Sequence, residues 1–455
     1  MLLPGVGTVV RATKDRRREL NAPVQAVQPR RTLTVFLVLT ASRWLPAGFF
    51  VSAVVLLAIE RGLNVAQVGV FMAVQGVAVF LLELPTSGLA DAIGRKPLLL
   101  AAVVFKIGAG MVFAGAHSFA AFASAAALMG VYRALDSGPL EAWYVDELHR
   151  VAPDADPASD LARQGVVAGL ALAAGSLASG ALIALHPIRD ASALLLPVQV
   201  SVALGFAHLL ALVLLMREPP VRERQRGPSR LAVLPSTVRD VVSVVGDGVR
   251  LLGRNRVLRG LASVTIFWSF AMAVFETLQP VRLAEILGSQ ARSGAWMGPL
   301  AAAGWGLFAL GSAIASGLFP RIGVTRTAIL ARIMNGVGAM VMGLVLTPVG
   351  LAGAYLATYS LHGTGEAAHA ALLHREASSA NRATVLSLNS MAFFLSNSVA
   401  LYAVGHLATL TSTRIAMVAA GLMSTVGFIG YLPALRRERS ALSHGQCEQP
   451  ADRAS

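Results

Sequence analysis

Residues 83–96 read ELPTSGLADAIGRK and lie between two long apolar runs. The stretch is polar and short, and it ends in the basic pair Arg95 and Lys96. Its glycines, Gly88 and Gly94, allow the backbone to turn tightly. Two apolar runs of about 20 residues joined by such a turn are typical of a hairpin of membrane-spanning helices.

The composition of the whole chain agrees with this local pattern. Of 455 residues, 55% are apolar and 14% are charged, whereas soluble proteins average about 45–50% and about 25%. These values exclude a disordered chain, a coiled coil and a collagen, and disfavour most soluble enzymes. We predict an all-α membrane protein with twelve transmembrane helices, at about 33–58, 66–87, 97–116, 119–141, 164–186, 193–216, 258–279, 294–316, 327–347, 350–373, 384–408 and 414–435.

The basic residues predict the orientation of these helices. Most of the 38 Lys and Arg residues fall in the two tails and in the even-numbered connections, and few fall in the odd-numbered ones. Because basic loops stay on the cytoplasmic side during insertion, both termini are predicted to be cytoplasmic, with the protein in the plasma or inner membrane. This distribution accounts for the net charge of +14 without a nucleic-acid partner. The single cysteine, Cys447, allows neither an internal disulfide nor a four-cysteine zinc site.

The chain divides into two halves that resemble each other. We expect a basic tail at 1–32, a six-helix bundle at 33–216, a linker at 217–257, a second bundle at 258–435 and a tail at 436–455. Valines in the linker follow a helical period, which fits either a helix lying on the inner leaflet or a bridging helix. Gly69 and Gly88 have the same spacing as Gly298 and Gly317. Two parallel six-helix repeats predict a transporter with its site between the halves.

Residues 83–96 resemble the loop motif of the major facilitator superfamily, particularly its drug-efflux members. The matching positions are Gly88, Asp91, Gly94, Arg95 and Lys96. Residues 133–142 and 382–388 are similar to motifs of its fourth and eleventh helices. Residues 175–180 lack the proline and one glycine of the antiporter motif. The resemblance implies two bundles that expose a central site alternately to either side.

The resemblance also implies a conformational latch. Asp91 would face the N-terminus of the eleventh helix. Arg95 would pair with Glu141 or Asp146 at the cytoplasmic end of the fourth helix, which would hold the halves in the outward-open state. The alternative is a solvated loop whose charges only set the topology.

Charged residues inside predicted helices are costly in lipid and are therefore candidates for function. Arg43, next to Trp44, could hold an anionic substrate or a carboxylate, or could be structural. Arg133 and Asp136 are three residues apart on one predicted helix and could form a local pair that responds to protonation, or a structural pair.

Polar residues in the second half provide further candidates. His362, Glu366 and His369 fall on one face of the tenth helix and could relay protons, ligate a metal or pack as satisfied polar groups. We expect no metal site, because no cysteine or further acid completes the set. Glu276, Asn389 and Asn397 could line a substrate cavity or bond between helices.

Together these features favour a secondary transporter of a small organic molecule. We expect proton-coupled efflux of an amphipathic or hydrophobic compound, such as an antibiotic, by a monomer in the lipid bilayer with no cofactor. An importer or facilitator of a small organic anion is the alternative. The sequence holds no P-loop, HExxH or G-x-S-x-G motif, so an enzyme is disfavoured. A receptor is disfavoured by the paired halves and the buried charges.

Overall fold

A computed structural model describes residues 30–87, 89–218, 246, 250–377 and 382–447 of the chain. Side chains are not described at 84, 87, 91, 92, 382–384 and 441–447. These residues form helices and connections and include no strand. Gly88, most of the basic N-terminal tail, most of the linker with its expected helix, and the end of the C-terminal tail lie outside the described residues.

Twelve long helices, α1 to α12, follow one another in the described part of the chain. The first six are α1 Arg30–Glu60, α2 Val65–Ser87, α3 Arg95–Gly115, α4 Phe119–Leu135, α5 Ala158–Leu185 and α6 Leu195–Leu215. The second six are α7 Arg256–Leu287, α8 Gln290–Ile322, α9 Val324–Leu344, α10 Pro348–Glu376, α11 Arg382–Leu410 and α12 Thr413–Ser440. Shorter helices at Leu89–Ile93 and Pro139–Val151 follow α2 and α4.

Ten helices in the described residues are long and apolar enough to cross a membrane. The other two are α4 and α10. Helix α4 has 17 residues and ends earlier than the predicted segment 119–141. Helix α10 is long enough but less apolar, since it carries His362, Glu366 and His369. A crossing by these two helices therefore stays a prediction.

Serine and threonine side chains start four helices at the same end of the fold. Each accepts a hydrogen bond of 3.2–3.3 Å from a backbone N–H of the first turn, at Ser118, Ser289, Thr347 and Ser412. A cap of this kind stabilises a helix by about 1 kcal/mol. We call this end, where α1 ends and α2 begins, the opposite face. The end where α1 begins and α12 finishes is the terminal face.

The two sets of six helices meet along two crossings, α2 with α11 and α5 with α8. Glycine makes the second crossing close: a Cβ on Gly298 would lie 2.4 Å from the backbone oxygen of Ser176 and 2.8 Å from the Cα of Gly180. At the first crossing a Cβ on Gly69 would lie 2.3 Å from the oxygen of Leu401. Small residues at these positions let the backbones approach where lipid supplies no hydrophobic drive.

Candidate substrate cavity

A cavity of about 670 Å³ lies between the two sets of helices and is lined by both. At the opposite face the sets are in contact: Ala66 of α2 donates its backbone N–H to Thr409 of α11 at 3.0 Å. Toward the terminal face the lining continues to Glu83 and Ser137, near the ends of α2 and α4. The cavity is therefore closed at the opposite face and extends toward the terminal face.

Paired charges form the part of the wall contributed by α1, α3 and α4. Arg43 Nε lies 2.6 Å from Asp136 Oδ2, and its Nη1 lies 3.4 Å from Glu141 Oε1. Lys106 of α3 donates to the backbone oxygen of Arg43 at 2.9 Å. The predicted local pair of Arg133 with Asp136 is wrong, because α4 ends at Leu135 and Asp136 turns toward α1 instead.

Arg133 lies at the border between the two sets of helices. Its guanidinium stacks over the ring of Phe394 on α11, 5.5 Å from the centroid. It is also within electrostatic range of two carboxylates, Glu83 and Glu276. Glu83 accepts a hydrogen bond from Ser390 Oγ of α11 at 3.0 Å. Glu83 belongs to the quoted stretch, yet we did not select it as a candidate from the sequence.

Glu276 lines the cavity from a π-helical turn of α7, Val274–Leu278. Such turns occur often at functional sites because they redirect side chains out of the regular helical pattern. Asn397 Nδ2 of α11 donates to Glu276 Oε2 at 3.3 Å. Asn389 is on the same helix but does not line the cavity: it accepts from Thr265 Oγ1 at 2.8 Å.

The tenth helix contributes only one of its three candidates to the cavity. His362 lines the cavity and stacks on Trp268, with 5.1 Å between the ring centroids. Arg332 also lies over the Trp268 ring, with its Cζ 5.0 Å from the ring centroid. His369 lies deeper, where its Nδ1 is 3.0 Å from the hydroxyl of Tyr431.

The predicted relay through these three residues is not continuous in the structure. Glu366 lies within range of electrostatic interaction with Arg332. Among the described contacts, no hydrogen bond joins Glu366 to His362 or His369. At 1.5 Å per residue, His362 and His369 are about 10 Å apart along the helix axis. Within the described residues no group of three His, Cys, Asp or Glu could hold a metal ion.

Aromatic rings cover most of the second-half wall. Phe275 and Trp305 pack against Tyr359 with centroids 5.8 and 5.9 Å apart, and Tyr355 lies 5.0 Å from Tyr359. All four line the cavity. None was a candidate from the sequence. Tyr355 and Tyr359 are four residues apart and so share a face of α10, which was a usable signal.

The two basic residues of the loop motif, Arg95 and Lys96, make their described contacts with residues 142–218. Arg95 forms an ion pair with Asp146 and donates to the backbone oxygen of Ala142 at 2.6 Å. Lys96 Nζ donates to two carbonyls at the end of α6, at 2.9 and 2.7 Å. Glu141 is not a partner of Arg95, since it pairs with Arg43. The latch residues Gly88 and Asp91 lie outside the described residues and the described side chains, respectively.

A cavity between two crossing sets of helices defines the class of this protein as a membrane transporter. The sequence profile of the Major Facilitator Superfamily matches residues 33–374. The chain belongs to the major facilitator superfamily, which confirms the family predicted from the loop motif. No curated protein matches the sequence.

Solved structures of several transporters share the fold. The nucleoside transporter NupG has 12% identity and a TM-score of 0.71, over 88% of this chain and 98% of that one. A bacterial homolog of the human lysosomal transporter Spinster has 15% identity and a TM-score of 0.68, over 90% and 97%. A proton-dependent oligopeptide transporter structure has 14% identity and a TM-score of 0.65, over 90% and 99%. At these identities the likeness is one of fold alone.

Proposed function

We propose that the protein exports a small amphipathic organic molecule by alternating access, in exchange for protons. The observation that carries this proposal is the cavity between the two sets of helices, closed at the opposite face and lined by aromatic rings and charged side chains. With cytoplasmic termini, the cavity in this structure would face the cytoplasm. The protein would act as a monomer in the cell membrane.

The amphipathic substrate follows from the chemistry of the lining. Rings of Trp305, Tyr355 and Tyr359 offer apolar area with a few polar edges, which suits a flat organic body. One carboxylate of the lining, that of Glu276, stands within this aromatic surface. A sugar or another highly polar solute would bury these rings without satisfying its own hydroxyl groups.

Alternating access requires interfaces that can separate and reform. The α5–α8 crossing consists of glycine and serine backbones in contact and contains no ion pair among its described residues. Rocking of the two sets about these small-residue crossings would open the opposite face. Arg95 and Asp146 would then serve as part of the latch at the terminal face.

Proton coupling is proposed on the pair of Arg43 with Asp136. The pair lines the cavity, and Asp136 Oδ1 has no hydrogen-bond partner in the described structure. Protonation of the carboxylate would remove the charge that holds Arg43 and would free the guanidinium. This exchange would link proton occupancy to the position of α1 relative to α4.

Proteoliposomes with an imposed pH gradient test the function. We expect efflux of a fluorescent amphipathic probe such as Hoechst 33342 to require an inward proton gradient and to stop when the gradient is collapsed. Asp136→Asn should remove the gradient dependence. Glu147→Gln, which alters a carboxylate outside the cavity that is 17% exposed and paired with Arg150, serves as a matched control and should behave as the unaltered protein. Probe movement that ignores the gradient would exclude proton coupling.

Uptake or facilitated movement of a small organic anion is the second candidate. It is supported by three cations on or beside one wall: Arg43, Lys106 and Arg133. The named structural neighbours include a nucleoside transporter and an oligopeptide transporter. The same vesicles separate the candidates, because an importer would accumulate a labelled anion inside and an exporter would not.

A further inference from the structure

The charged groups in and beside the cavity are balanced on one side and unbalanced on the other. Arg43 and Lys106 lie with two carboxylates, that of Asp136 in the cavity lining and that of Glu141, which contacts Arg43 from outside the lining. Elsewhere in the cavity, Glu83 and Glu276 share a single cation, Arg133. The formal charge of this second group is therefore negative by one. A buried negative charge in a low-dielectric site attracts a cation.

Glu276 is the acid of this second group that is best placed to meet a ligand. One of its oxygens accepts from Asn397, and the other has no hydrogen-bond partner among the described residues. In Glu83, by contrast, both carboxylate oxygens accept from the hydroxyl of Ser390, with Oγ at 3.0 Å from Oε1 and 3.2 Å from Oε2. Arg133 stacks on Phe394 and, among the described contacts, forms no ion pair with Glu276.

Two buried polar atoms on the same wall also lack partners. Asn397 is 8% exposed and its Oδ1 has no hydrogen bond, and His362 is 7% exposed and its Nδ1 has none. Both residues line the cavity. An unsatisfied buried polar atom destabilises the protein, and a ligand that forms a hydrogen bond to such an atom removes that destabilisation. Asn397 Oδ1 and the free oxygen of Glu276 are acceptors, and they call for a donor.

The rings around Glu276 favour the same kind of ligand. Phe275 is its neighbour in the chain, and Tyr355, Tyr359 and Trp305 complete an aromatic surface beside it. Aromatic faces attract cations, and the attraction is stronger where water is excluded. A carboxylate, an amide oxygen and ring faces together form a receptor for an ammonium group on a flat apolar body.

We propose that the ligand of this cavity is an organic monocation, an alkylamine that carries an aromatic ring and is in its ammonium form, bound through Glu276 and Asn397. This inference rests on the proposed function, since it names the substrate class of the same cavity. The ammonium donates to the carboxylate of Glu276 and to Asn397 Oδ1. The aromatic body lies against Trp305 and Tyr359, and the charge pairs of the first wall remain intact.

Three probes with one aromatic body test the charge of the ligand. They are 2-naphthylmethylammonium, 2-naphthylmethanol and 2-naphthoate, a cation, a neutral molecule and an anion. Binding to the purified full-length protein is followed by quenching of tryptophan fluorescence, since Trp44 and Trp305 line the cavity. We expect the cation to bind about ten- to hundredfold more tightly than the other two, as a charge-assisted hydrogen bond predicts.

Variants then assign the site. Glu276→Gln should lower the affinity for the cation by about ten- to hundredfold and leave the weak binding of the alcohol unchanged. Asn397→Leu should lower the affinity for the cation less, by about fivefold. Glu285→Gln is the matched control, because Glu285 lies on α7 outside the cavity, beside Arg282 and Thr413. This control should bind as the unaltered protein does.

Each contrary result is informative. Preference for the naphthoate, equal affinity for all three probes, or no binding of the amine up to its solubility limit would overturn the inference, and none of these requires a variant to fold. Retention of cation affinity in Glu276→Gln would remove the proposed site. If the cation binds but no gradient drives its movement, the proposed proton coupling fails while the substrate class stands. If another compound moves with the gradient and the amine does not bind, the reverse holds.

Discussion

The part of the cavity wall built by α1–α6 holds its charges in pairs, whereas the part built by α7–α12 places one carboxylate among aromatic rings. On the first wall Arg43 contacts both Asp136 and Glu141. On the second wall Glu276 has an amide as its bonded partner. The charges of the first wall are therefore neutralised by each other, whereas the carboxylate of the second wall has no cation bonded to it among the described residues.

The backbones of the two halves are much more alike than their walls. Gly94 and Gly323 lie in corresponding turns of the two halves, before α3 and α9, with φ of 97° and 87°. Arg61 donates to carbonyls at the end of α3, at 2.6 and 2.8 Å for the closest two, and Arg282 donates to the carbonyl of Val345 at the end of α9. The repeat has kept the turns and helix ends that shape each bundle, and its polar residues have diverged.

Breaking the charge pair of the first wall should give the largest effect. Arg43→Met leaves Asp136 buried without its cation, and we expect a loss of about 3–5 kcal/mol of stability. The double variant Arg43→Met with Asp136→Met should recover most of this loss, because it leaves no uncompensated charge. Melting of the purified protein in detergent measures both. A double variant that melts no higher than the single one would show that the pair is not the reason for the loss.

The control for this experiment is the pair of Arg150 with Glu147, which lies outside the cavity. Arg150 is 57% exposed and Glu147 17% exposed in this pair, and pairs at the surface contribute about 1 kcal/mol or less. Arg150→Met should therefore change the melting temperature little. A loss as large as that of Arg43→Met would mean that charge removal itself, independent of burial, destabilises the chain.

The contact between the halves comes next. Gly298→Leu introduces a side chain where even a Cβ meets Ser176 at 2.4 Å, so we expect the opposite face to separate and transport to be lost. Gly306→Leu is the matched control on the same helix, with no atom within 4 Å of its Cβ position. Disulfide formation between Ala66→Cys and Thr409→Cys, in a background lacking Cys447, reports closure. Unchanged cross-linking in Gly298→Leu would contradict the expected separation.

The sequence predicts the helices well, because hydrophobic length is a local property. The predicted segments 97–116 and 327–347 correspond to Arg95–Gly115 and Val324–Leu344. The tight turn predicted at Gly94 has a positive φ of 97°, and Gly323, between α8 and α9, has a φ of 87°. The predicted domain limits, the cytoplasmic termini and the roles of the site residues stay predictions.

Side-chain partners could not be predicted in the same way. Asp136 was assigned to Arg133 because the two lie three residues apart. Asp136 caps the helix, with its N–H still bonded to the oxygen of Tyr132, yet its carboxylate lies 2.6 Å from Arg43 of α1. Spacing along one helix does not predict a partner on another helix. Contacts such as Glu276 with Asn397 join residues far apart in the chain, and no periodicity reports them.

Alanine at the two related turns tests how similar the halves are. Gly94 and Gly323 have ψ of 156° and 154° with positive φ, a region that is nearly restricted to glycine. We expect Gly94→Ala and Gly323→Ala each to cost about 1–3 kcal/mol. Gly108→Ala in α3, which has open space around it, should be neutral or slightly stabilising. Melting temperatures compare all three, and a harmless Gly323→Ala would show that the second turn is not constrained as the first is.

Substitution of Arg61 and Arg282, at the helix ends, should give the smallest losses of stability, and the two losses should differ between the halves. Arg61→Gln removes donors from three carbonyls at the end of α3, and water at the opposite face can replace much of that bonding, so we expect a loss of about 1 kcal/mol. Burial lowers the pKa of the Arg61 guanidinium, which shows that its site is partly shielded from water. Arg282 is 7% exposed and also pairs with Glu285. Arg282→Gln should therefore cost more than Arg61→Gln, by about 1 kcal/mol. Equal melting temperatures for the two variants would mean that the ion pair of Arg282 with Glu285 adds no stability beyond the hydrogen bond of Arg282 to the helix-end carbonyl.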